Sequence, residues 1–191
     1  MLKRPLIAMV IASTLLTGCS SIISATREEP IQEDQGSRTL GRYLEDESIE
    51  TKILVNISKG SERLAQSHIN AVSYNGQVLL IGQVPDEQVK QEAENVARQV
   101  RHVRKIHNEL EVAGPTSTIV RSNDVYLTSR IKVQMLADER VSGGRIKVVT
   151  ENGVVYLMGL VTPAEADIAV EITRSVTGVR KIVKVFEYIG A

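Results

Sequence analysis

The sequence of this chain contains one structural unit in two copies, and that duplication limits the possible folds more than any other feature. The dipeptide Asn-Gly occurs at 75–76 and again at 152–153, an offset of 77 residues (152 − 75), each time before a run rich in Val, Leu and Ile. Further on, the sequence VRKI occurs at 103–106 and again at 179–182, an offset of 76 (179 − 103). Similarity at a fixed spacing is typical of a repeated supersecondary unit. Both copies are therefore expected to share one fold.

Each copy begins with an amphipathic helix and continues with a hairpin. The helices are predicted at 48–58 and 125–136, because apolar residues recur every four positions on one face. The hairpins follow from Asn-Gly, since both central residues of a type I′ turn need positive φ. Their arms are predicted at 68–74 with 77–84 and at 145–150 with 154–161. The helix positions are Ile49, Ile53 and Ile57 in copy one and Leu127, Ile131 and Met135 in copy two.

A second helix and a last strand complete each copy. In copy two the helix start is a capping box, Thr162 to Glu165, with proline at the first helical position. In copy one Val89, Ala93, Val96 and Val100 lie on one stripe. The last strands are predicted at 103–112 and 180–189. The order αββαβ, twice, predicts an α+β fold of two tandem domains, each a three-stranded mixed sheet with two helices on one face.

The N-terminus has the pattern of a secretory signal peptide. Lys3 and Arg4 precede the apolar run 6–16, and small residues follow at 17 and 18. A run of eleven residues is shorter than the ~20 needed to cross a bilayer core. We therefore expect residues 1–18 to be a signal peptide that is removed, and not a permanent membrane span.

The residues at the end of this run, Leu16-Thr17-Gly18-Cys19, resemble the lipobox of bacterial lipoproteins. The resemblance implies cleavage before Cys19 and acylation of its thiol and its new amine. An ordinary signal peptide with a chance cysteine is the alternative, although Cys19 is the only cysteine. Serines follow it at 20 and 21, where the sorting rule of Gram-negative lipoproteins places an aspartate for inner-membrane retention. The resemblance thus implies the periplasmic leaflet of the outer membrane.

Composition divides the mature chain into further segments. Residues 19–45 are polar and mixed in charge and are predicted to be a lipidated flexible tether. Domain one is predicted at 46–112, a linker at 113–122 and domain two at 123–191. With no second cysteine, the mature protein cannot form an internal disulfide. Removal of two basic residues leaves 21 against 23 acids, a charge of −2 (21 − 23), so no global field attracts nucleic acid.

Taken together, these features resemble the dual BON-domain outer-membrane lipoproteins of proteobacteria. The motifs are the Asn-Gly hairpins, the Gly-x-Val exits at 82–84 and 159–161, and the entry to each last strand. The resemblance implies a role in outer-membrane integrity and binding of anionic phospholipid through the first helix of the second domain. One departure is His102, which replaces the glycine that Gly178 retains in copy two. This substitution predicts an altered turn in copy one.

The sequence offers little for catalysis or metal binding. His68, His102 and His107 have no cysteine or carboxylate partners at ligand spacing, so we expect surface histidines. No serine lies in a nucleophile elbow, and no glycine-rich phosphate loop precedes a helix. Aromatic residues are only 3% of the chain, without tryptophan, which argues against base-stacking surfaces. We predict a protein that is not an enzyme, has no cofactor and binds no nucleic acid.

The helix at 125–136 is apolar on a second face, and this is the candidate site. At about 100° per residue, four apolar side chains gather opposite the core face. The equivalent helix of copy one is expected to be polar there, because Ser48 and Ser58 replace two of them. The four apolar residues, Val125, Tyr126, Val133 and Leu136, are called the outer patch below; Ser129 lies at its centre, and Arg130 and Lys132 flank it.

Three partners can cover the outer patch. Copy one can pack on it, which would bury it between the domains. Anionic phospholipid of the phosphatidylglycerol or cardiolipin type can bind it, with Tyr126 at headgroup depth and Arg130 and Lys132 at phosphates. A protein factor of outer-membrane assembly or cell-wall remodelling can dock there instead. The sequence favours the lipid over the protein adaptor, and a hydrolase is the weakest alternative.

Overall fold

The computed structural model describes residues 34–190, so the predicted signal peptide, Cys19 and most of the predicted tether lie outside the described residues. No helix within this range is long and apolar enough to cross a membrane. In the first repeat, helix α1 begins eight residues before the predicted start (48 − 40), because Thr39 caps it and its side chain accepts from the Arg42 N–H. The elements are α1 (Leu40–Ser58), α2 (Glu62–Ala65), β1 (His68–Tyr74), β2 (Gln77–Val84), α3 (Glu87–Arg98), β3 (Lys105–Asn108) and β4 (Glu111–Val112).

The predicted last strand of copy one is divided in two. β3 and β4 both pair in parallel with β2, and β1 pairs with β2 antiparallel. At the break the Leu110 N–H bonds to the side chain of Asn108 at 3.4 Å, and the Leu110 side chain is buried. This local side-chain hydrogen bond gives the Leu110 N–H an acceptor within its own segment.

The second repeat has the same topology without the break. Helix α4 begins at Thr118, seven residues before the predicted start (125 − 118), so its first turns occupy part of the predicted linker. The predicted strand start at 145 is instead a short 3-10 turn, Gly143–Arg145. The elements are α4 (Thr118–Ala137), β5 (Lys147–Glu151), β6 (Val154–Val161), α5 (Pro163–Ser175) and β7 (Lys181–Tyr188), in a sheet of order β5-β6-β7.

Both repeats are thus α+β domains in which two long helices pack on one face of a mixed sheet, and the first repeat adds the short helix α2. In each, the predicted helix stripe enters the core, with Ile49, Ile53 and Ile57 in one and Leu127, Ile131 and Met135 in the other at 0–5% exposure. Burying six large aliphatic side chains stabilises the fold by on the order of 10 kcal/mol before the loss of chain entropy is counted.

A buried carboxylate from the first helix binds each Asn-Gly turn. Asp46 accepts from the N–H groups of Asn75 and Gly76 at 2.8 and 2.9 Å. Asp124 lies at an offset of 78 (124 − 46) and accepts from the equivalent N–H groups of the second turn, both at 2.8 Å. Both carboxylates are at most 5% exposed. These bonds fix each helix against the hairpin and were not predicted from the sequence.

The turn at His102 keeps its left-handed backbone, so the prediction of an altered turn is wrong. His102 has φ 70° and Gly178 has φ 104°. A non-glycine residue is strained in this region. The His102 ring pairs with the Glu45 carboxylate, and this contact offsets part of the backbone strain at the turn.

The two sheets pack face to face and leave the helices outside. Apolar residues of β1 and β2 meet those of β6 and β7 in a third core. Polar bonds surround it: the Tyr74 hydroxyl donates to the Arg145 carbonyl at 2.6 Å, and Lys147 pairs with Glu50 at 2.8 Å. The residues of this core are Val72, Tyr74, Leu79, Ile81, Val154, Tyr156, Met158, Leu160 and Val185.

Candidate lipid-binding helix

The N-terminal cap of α4 sets how far the candidate surface extends. The Ser117 hydroxyl accepts from the Val120 N–H at 3.4 Å, and Ser117 has extended backbone angles, as an N-cap requires. One face of the helix is then fixed on the second repeat by Asp124, Leu127, Ile131 and Met135. The opposite face of α4 does not pack against the sheet of the second repeat.

The outer patch is exposed to solvent. Val125, Tyr126, Val133 and Leu136 have 67, 55, 66 and 61% of their surface exposed. The first repeat contacts the second through the sheet faces and does not cover this helix face. Packing of copy one on the outer patch, one of the three predicted alternatives, is therefore not what the structure has.

Arg130 and Ser129 lie with the outer patch, as predicted. The Arg130 guanidinium donates to the Tyr126 hydroxyl at 2.7 Å, an i, i+4 pair along the helix. Tyr126, Ser129, Arg130 and Val133 line one shallow depression together with Gln134. This arrangement puts a cation and a phenol at the rim of an apolar surface, which is the pattern of side chains at a membrane interface.

Lys132 lies away from this group. Its ammonium donates to the carbonyls of Gly143 and Ile146 at 2.8 and 2.5 Å. Burial lowers the pKa of the Lys132 ammonium below its ordinary value. Because its donors point at backbone carbonyls of the second repeat, Lys132 holds the segment 143–146 against α4, and the structure does not bring it to the outer patch.

Ile119 extends the apolar surface and was missed in the sequence. It is 82% exposed, and Ile119, Tyr126 and Val133 follow at intervals of seven residues, which is two helical turns. The spacing was present in the sequence. It was not recognised because the helix was predicted to start after Ile119.

The first helix of copy one is not polar on its outer face, contrary to the expectation drawn from Ser48 and Ser58. α1 exposes apolar side chains at both ends, whereas the two serines lie between or beyond them. These side chains are Leu40, Tyr43 and Leu44 near its start and Leu54 and Val55 near its end, 36–75% exposed. The difference between the copies therefore lies in the position of the apolar side chains along each helix.

His102 and His107 lie apart from this surface, whereas His68 lines a depression that also includes Val125 and Ser129. His68 begins β1, His102 pairs with Glu45, and the His107 ring contacts the side-chain oxygen of Gln77 at 3.1 Å. Burial and the neighbouring Lys105 lower the pKa of His107. Within residues 34–190 no group of three or more His, Cys, Asp or Glu side chains could hold a metal ion.

The fold and the exposed helix define a class of small proteins made of two tandem αββαβ domains. Residues 45–114 and 123–190 each match the BON domain. The chain is 38% identical over 184 residues to "Outer membrane lipoprotein DolP" of Haemophilus influenzae, a match that covers 96% of this chain and 95% of that one. This chain belongs to the BON-domain family and is a dual BON-domain lipoprotein of the outer membrane.

Two further relatives have other names. The "21 kDa hemolysin" of Actinobacillus pleuropneumoniae is 39% identical over 152 residues, covering 80% of this chain and 78% of that one. The "Osmotically-inducible protein Y" of Escherichia coli is 28% identical over 188 residues, covering 95% of this chain and 93% of that one. The similarity thus spans both domains in proteins of different names.

Proposed function

We propose that this chain is a non-enzymatic lipoprotein, held in the periplasmic leaflet by acylated Cys19, that binds anionic phospholipid and supports outer-membrane integrity. The lipid is of the phosphatidylglycerol or cardiolipin type, and the site is α4. The observation that carries the proposal is the exposure of the outer patch, 55–67% at each of its four residues, on a helix whose opposite face is buried.

The chemistry of the outer patch fits the interface of a bilayer. Val133 and Leu136 supply side chains that enter the acyl boundary, and complete burial of such a side chain is worth about 1.5–3 kcal/mol. Tyr126 has an apolar ring and a hydroxyl that remains at headgroup depth. Arg130 meets a phosphate, a contact of about 1 kcal/mol near an anionic surface. These contributions give a weak contact that depends on salt and on lipid charge.

The test is chemical-shift perturbation with micelles that contain phosphatidylglycerol, compared with neutral micelles. Amide signals of Tyr126, Arg130 and Leu136 are expected to move with the anionic lipid and much less with the neutral one. Uniform shifts across the chain, or equal shifts with both micelles, would contradict the proposal.

The duplication provides a matched pair of variants. Val133 and Val55 occupy equivalent helix positions at an offset of 78 (133 − 55), and they are 66 and 51% exposed. Val133→Glu is expected to weaken binding to anionic vesicles about tenfold or more, since it removes an inserted side chain and adds a negative charge. Val55→Glu adds the same charge to the other repeat and is expected to leave that affinity nearly unchanged.

A protein-binding adaptor for envelope assembly or cell-wall factors is the second candidate, and a groove favours it. The groove lies where β2 ends and the inter-repeat segment begins, and has a volume of about 740 Å³. Arg63, His68 and Arg121 lie along it, so it suits an acidic peptide segment. It adjoins the outer patch, since His68 and Arg121 also line a depression that includes Val125 and Ser129.

Crosslinking from cells distinguishes the two candidates. For the adaptor, Arg121→Glu is expected to remove a crosslinked protein that Leu136→Glu retains. For lipid binding, Leu136→Glu is expected to reduce vesicle affinity more than Arg121→Glu does, because Arg121 lies at the edge of the outer patch beside Val125. A third outcome is a protein crosslink that only Leu136→Glu removes, while vesicle affinity stays intact. That outcome would show that the outer patch binds a protein and not lipid.

A further inference from the structure

We propose that the start of α1 is a second bilayer contact, which inserts beside the docked end of the lipidated tether. The surface consists of Leu40, Tyr43 and Leu44, called the N-terminal patch below. These side chains are 75, 48 and 60% exposed, and their i, i+3, i+4 spacing puts them on one face of the helix. This surface does not include α4, so the proposal does not rest on lipid binding there; it rests on the acylation of Cys19 in the proposed function.

The chain upstream of α1 is held in place by Arg38. Its guanidinium donates to Asp46 at 2.7 Å and lies over the ring of Tyr74 at 3.8 Å and that of Tyr43 at 5.3 Å. The Arg38 side chain is only 15% exposed. A cation between two aromatic rings and a buried carboxylate is a specific contact. The direction in which the tether meets α1 is therefore fixed at Arg38.

Gly36, two residues before Arg38, contacts the second repeat. It is buried, and a Cβ at this position would lie 2.4 Å from a guanidinium nitrogen of Arg145. Gly36 therefore lies in direct contact with the Arg145 side chain. The tether end lies at the seam between the two repeats, with the N-terminal patch immediately after it in sequence.

The same seam adjoins the end of α4. The Arg145 carbonyl accepts from the Tyr74 hydroxyl, and a Cβ on Gly143 would lie 2.3 Å from the Met135 carbonyl oxygen. The 3-10 turn 143–145 therefore bridges the tether end to the last turn of α4, where Leu136 belongs to the outer patch. The N-terminal patch and the last turn of α4 thus both lie near the segment that leads to the lipid anchor.

The lipid anchor argues for a bilayer as the occupant. Gly36 is 17 residues from Cys19 (36 − 19), and a chain of that length spans at most ~60 Å by any path. An acylated Cys19 keeps the N-terminal patch within that distance of the membrane surface. Because the anchor already attaches the protein to the membrane, insertion of the N-terminal patch is an intramolecular step. The effective concentration of the bilayer at the patch is therefore high. A weak apolar contact of three side chains then suffices.

Charge separates this contact from the one at α4. Arg42 pairs with Glu45 at 2.7 Å on the exposed side of α1, and Glu47 is exposed on the same helix. The surroundings of the N-terminal patch thus carry no excess of positive charge, whereas Arg130 flanks the outer patch. Insertion of the N-terminal patch is expected to be independent of the anionic fraction of the bilayer.

The absence of tryptophan allows a direct test. Leu44→Trp, and independently Leu40→Trp, place a single fluorophore in the N-terminal patch of the full lipidated chain. Tyr126→Trp reports the outer patch. Val112→Trp is the control, because Val112 is 52% exposed and pairs with the end of β2 opposite to the Asn75-Gly76 turn. Each protein is reconstituted in vesicles of phosphatidylethanolamine, with or without phosphatidylglycerol, and emission and quenching by brominated acyl chains are measured.

Emission from position 44 or 40 is expected to shift to the blue and to be quenched in both kinds of vesicle, while position 112 does neither. Emission as in water at both positions, without quenching, would overturn the proposal. A blue shift without quenching would also overturn it, because it would indicate a protein partner or a second copy. Quenching at position 126 alone would leave the α4 function standing and reject the second contact; quenching at 44 alone would do the reverse.

Discussion

At the scale of single residues, the two turn-binding aspartates show how the duplication is stabilised. Asp46 and Asp124 do the same work, but Asp46 accepts two further bonds, from the Ser73 hydroxyl and from Arg38, both at 2.7 Å. Burial alone would raise the pKa of the Asp46 carboxyl, but the hydrogen bonds from Gly76, Ser73, Arg38 and Asn75 hold it below its ordinary value. The equivalent residues are thus unequal in what they contribute.

We therefore expect Asp46→Asn to destabilise the fold more than Asp124→Asn. Four donors lose a charged acceptor in the first case and two in the second, and a hydrogen bond to a charged group is worth about 1.5–3 kcal/mol. Asp46→Asn should lower the free energy of unfolding by roughly 2–4 kcal/mol, measured by urea denaturation at pH 7. Equal losses for the two variants would show that Arg38 and Ser73 add nothing.

The contribution of Asp46 to the free energy of unfolding should also depend on pH in the acid range. Because the pKa of Asp46 is lowered in the folded state, its contribution is complete above the unfolded value near 4 and is lost as pH falls through the folded value. The difference in unfolding free energy between wild type and Asp46→Asn should shrink when pH is lowered from 6 to 3. A difference independent of pH would contradict the role of the charged carboxylate.

Arg130 and Lys132 are neighbours in sequence with opposite expected roles. Arg130→Ala should reduce affinity for phosphatidylglycerol vesicles by about fivefold, a loss of about 1 kcal/mol, and leave thermal stability unchanged. Lys132→Ala should leave vesicle affinity nearly unchanged and lower the melting temperature by several degrees, because two carbonyls lose their donor. Vesicle co-sedimentation and calorimetry measure the two effects, and the reverse pattern would contradict the assignment.

At the scale of elements, the hairpins could be predicted and the helix starts could not. The arms at 68–74, 77–84 and 154–161 agree with the structure because Asn-Gly fixes the turn and its register. Thr39 and Ser117 cap α1 and α4, but the turns that follow each cap contain few core residues. Without an apolar period there, no signal marks the start. The surface at Leu40 and Ile119 was missed for that one reason.

The residues at the turn before each last strand, His102 and Gly178, can be exchanged in two opposite substitutions. His102→Gly should stabilise the fold by about 1 kcal/mol, less the contact with Glu45, since glycine adopts positive φ without strain. Gly178→His should destabilise it, because φ there is 104° and a Cβ would lie 3.2 Å from a methyl of Leu127. Urea midpoints measure both, and destabilisation by His102→Gly would show that the pair with Glu45 dominates.

At the scale of the whole molecule, the face-to-face sheets decide which surfaces remain free. Every residue of β2 and of β6 is buried. The sequence contained this signal, since both strands read as near-continuous apolar runs, which indicates cover on both faces. It could not reveal that each repeat covers the other, because no short-range pattern encodes which distant surface is the partner. Hence exposure of the outer patch could be settled only by the fold.

This core should couple the two repeats in unfolding. Tyr156 belongs to the second repeat, is 3% exposed and packs in the shared core. Tyr156→Ala is expected to cost about 3–5 kcal/mol and to reduce amide-exchange protection in α1 as well as in α4. Tyr188→Ala, at a 49% exposed site in the same sheet, is the control and should change little. Loss of protection confined to the second repeat would contradict the coupling.

The shared core also has a consequence for symmetry. Leu79 and Ile81 of β2 stand at the positions that Tyr156 and Met158 hold in β6, so the same face of the repeated unit meets itself, as in an isologous dimer. In a dimer of identical subunits, every substitution appears twice. Joined in one chain, the two copies keep that pairing at any dilution while each helix changes alone. An apolar side chain such as Leu136 can therefore stand on one side of the pseudo-dyad while a serine, Ser58, stands on the other.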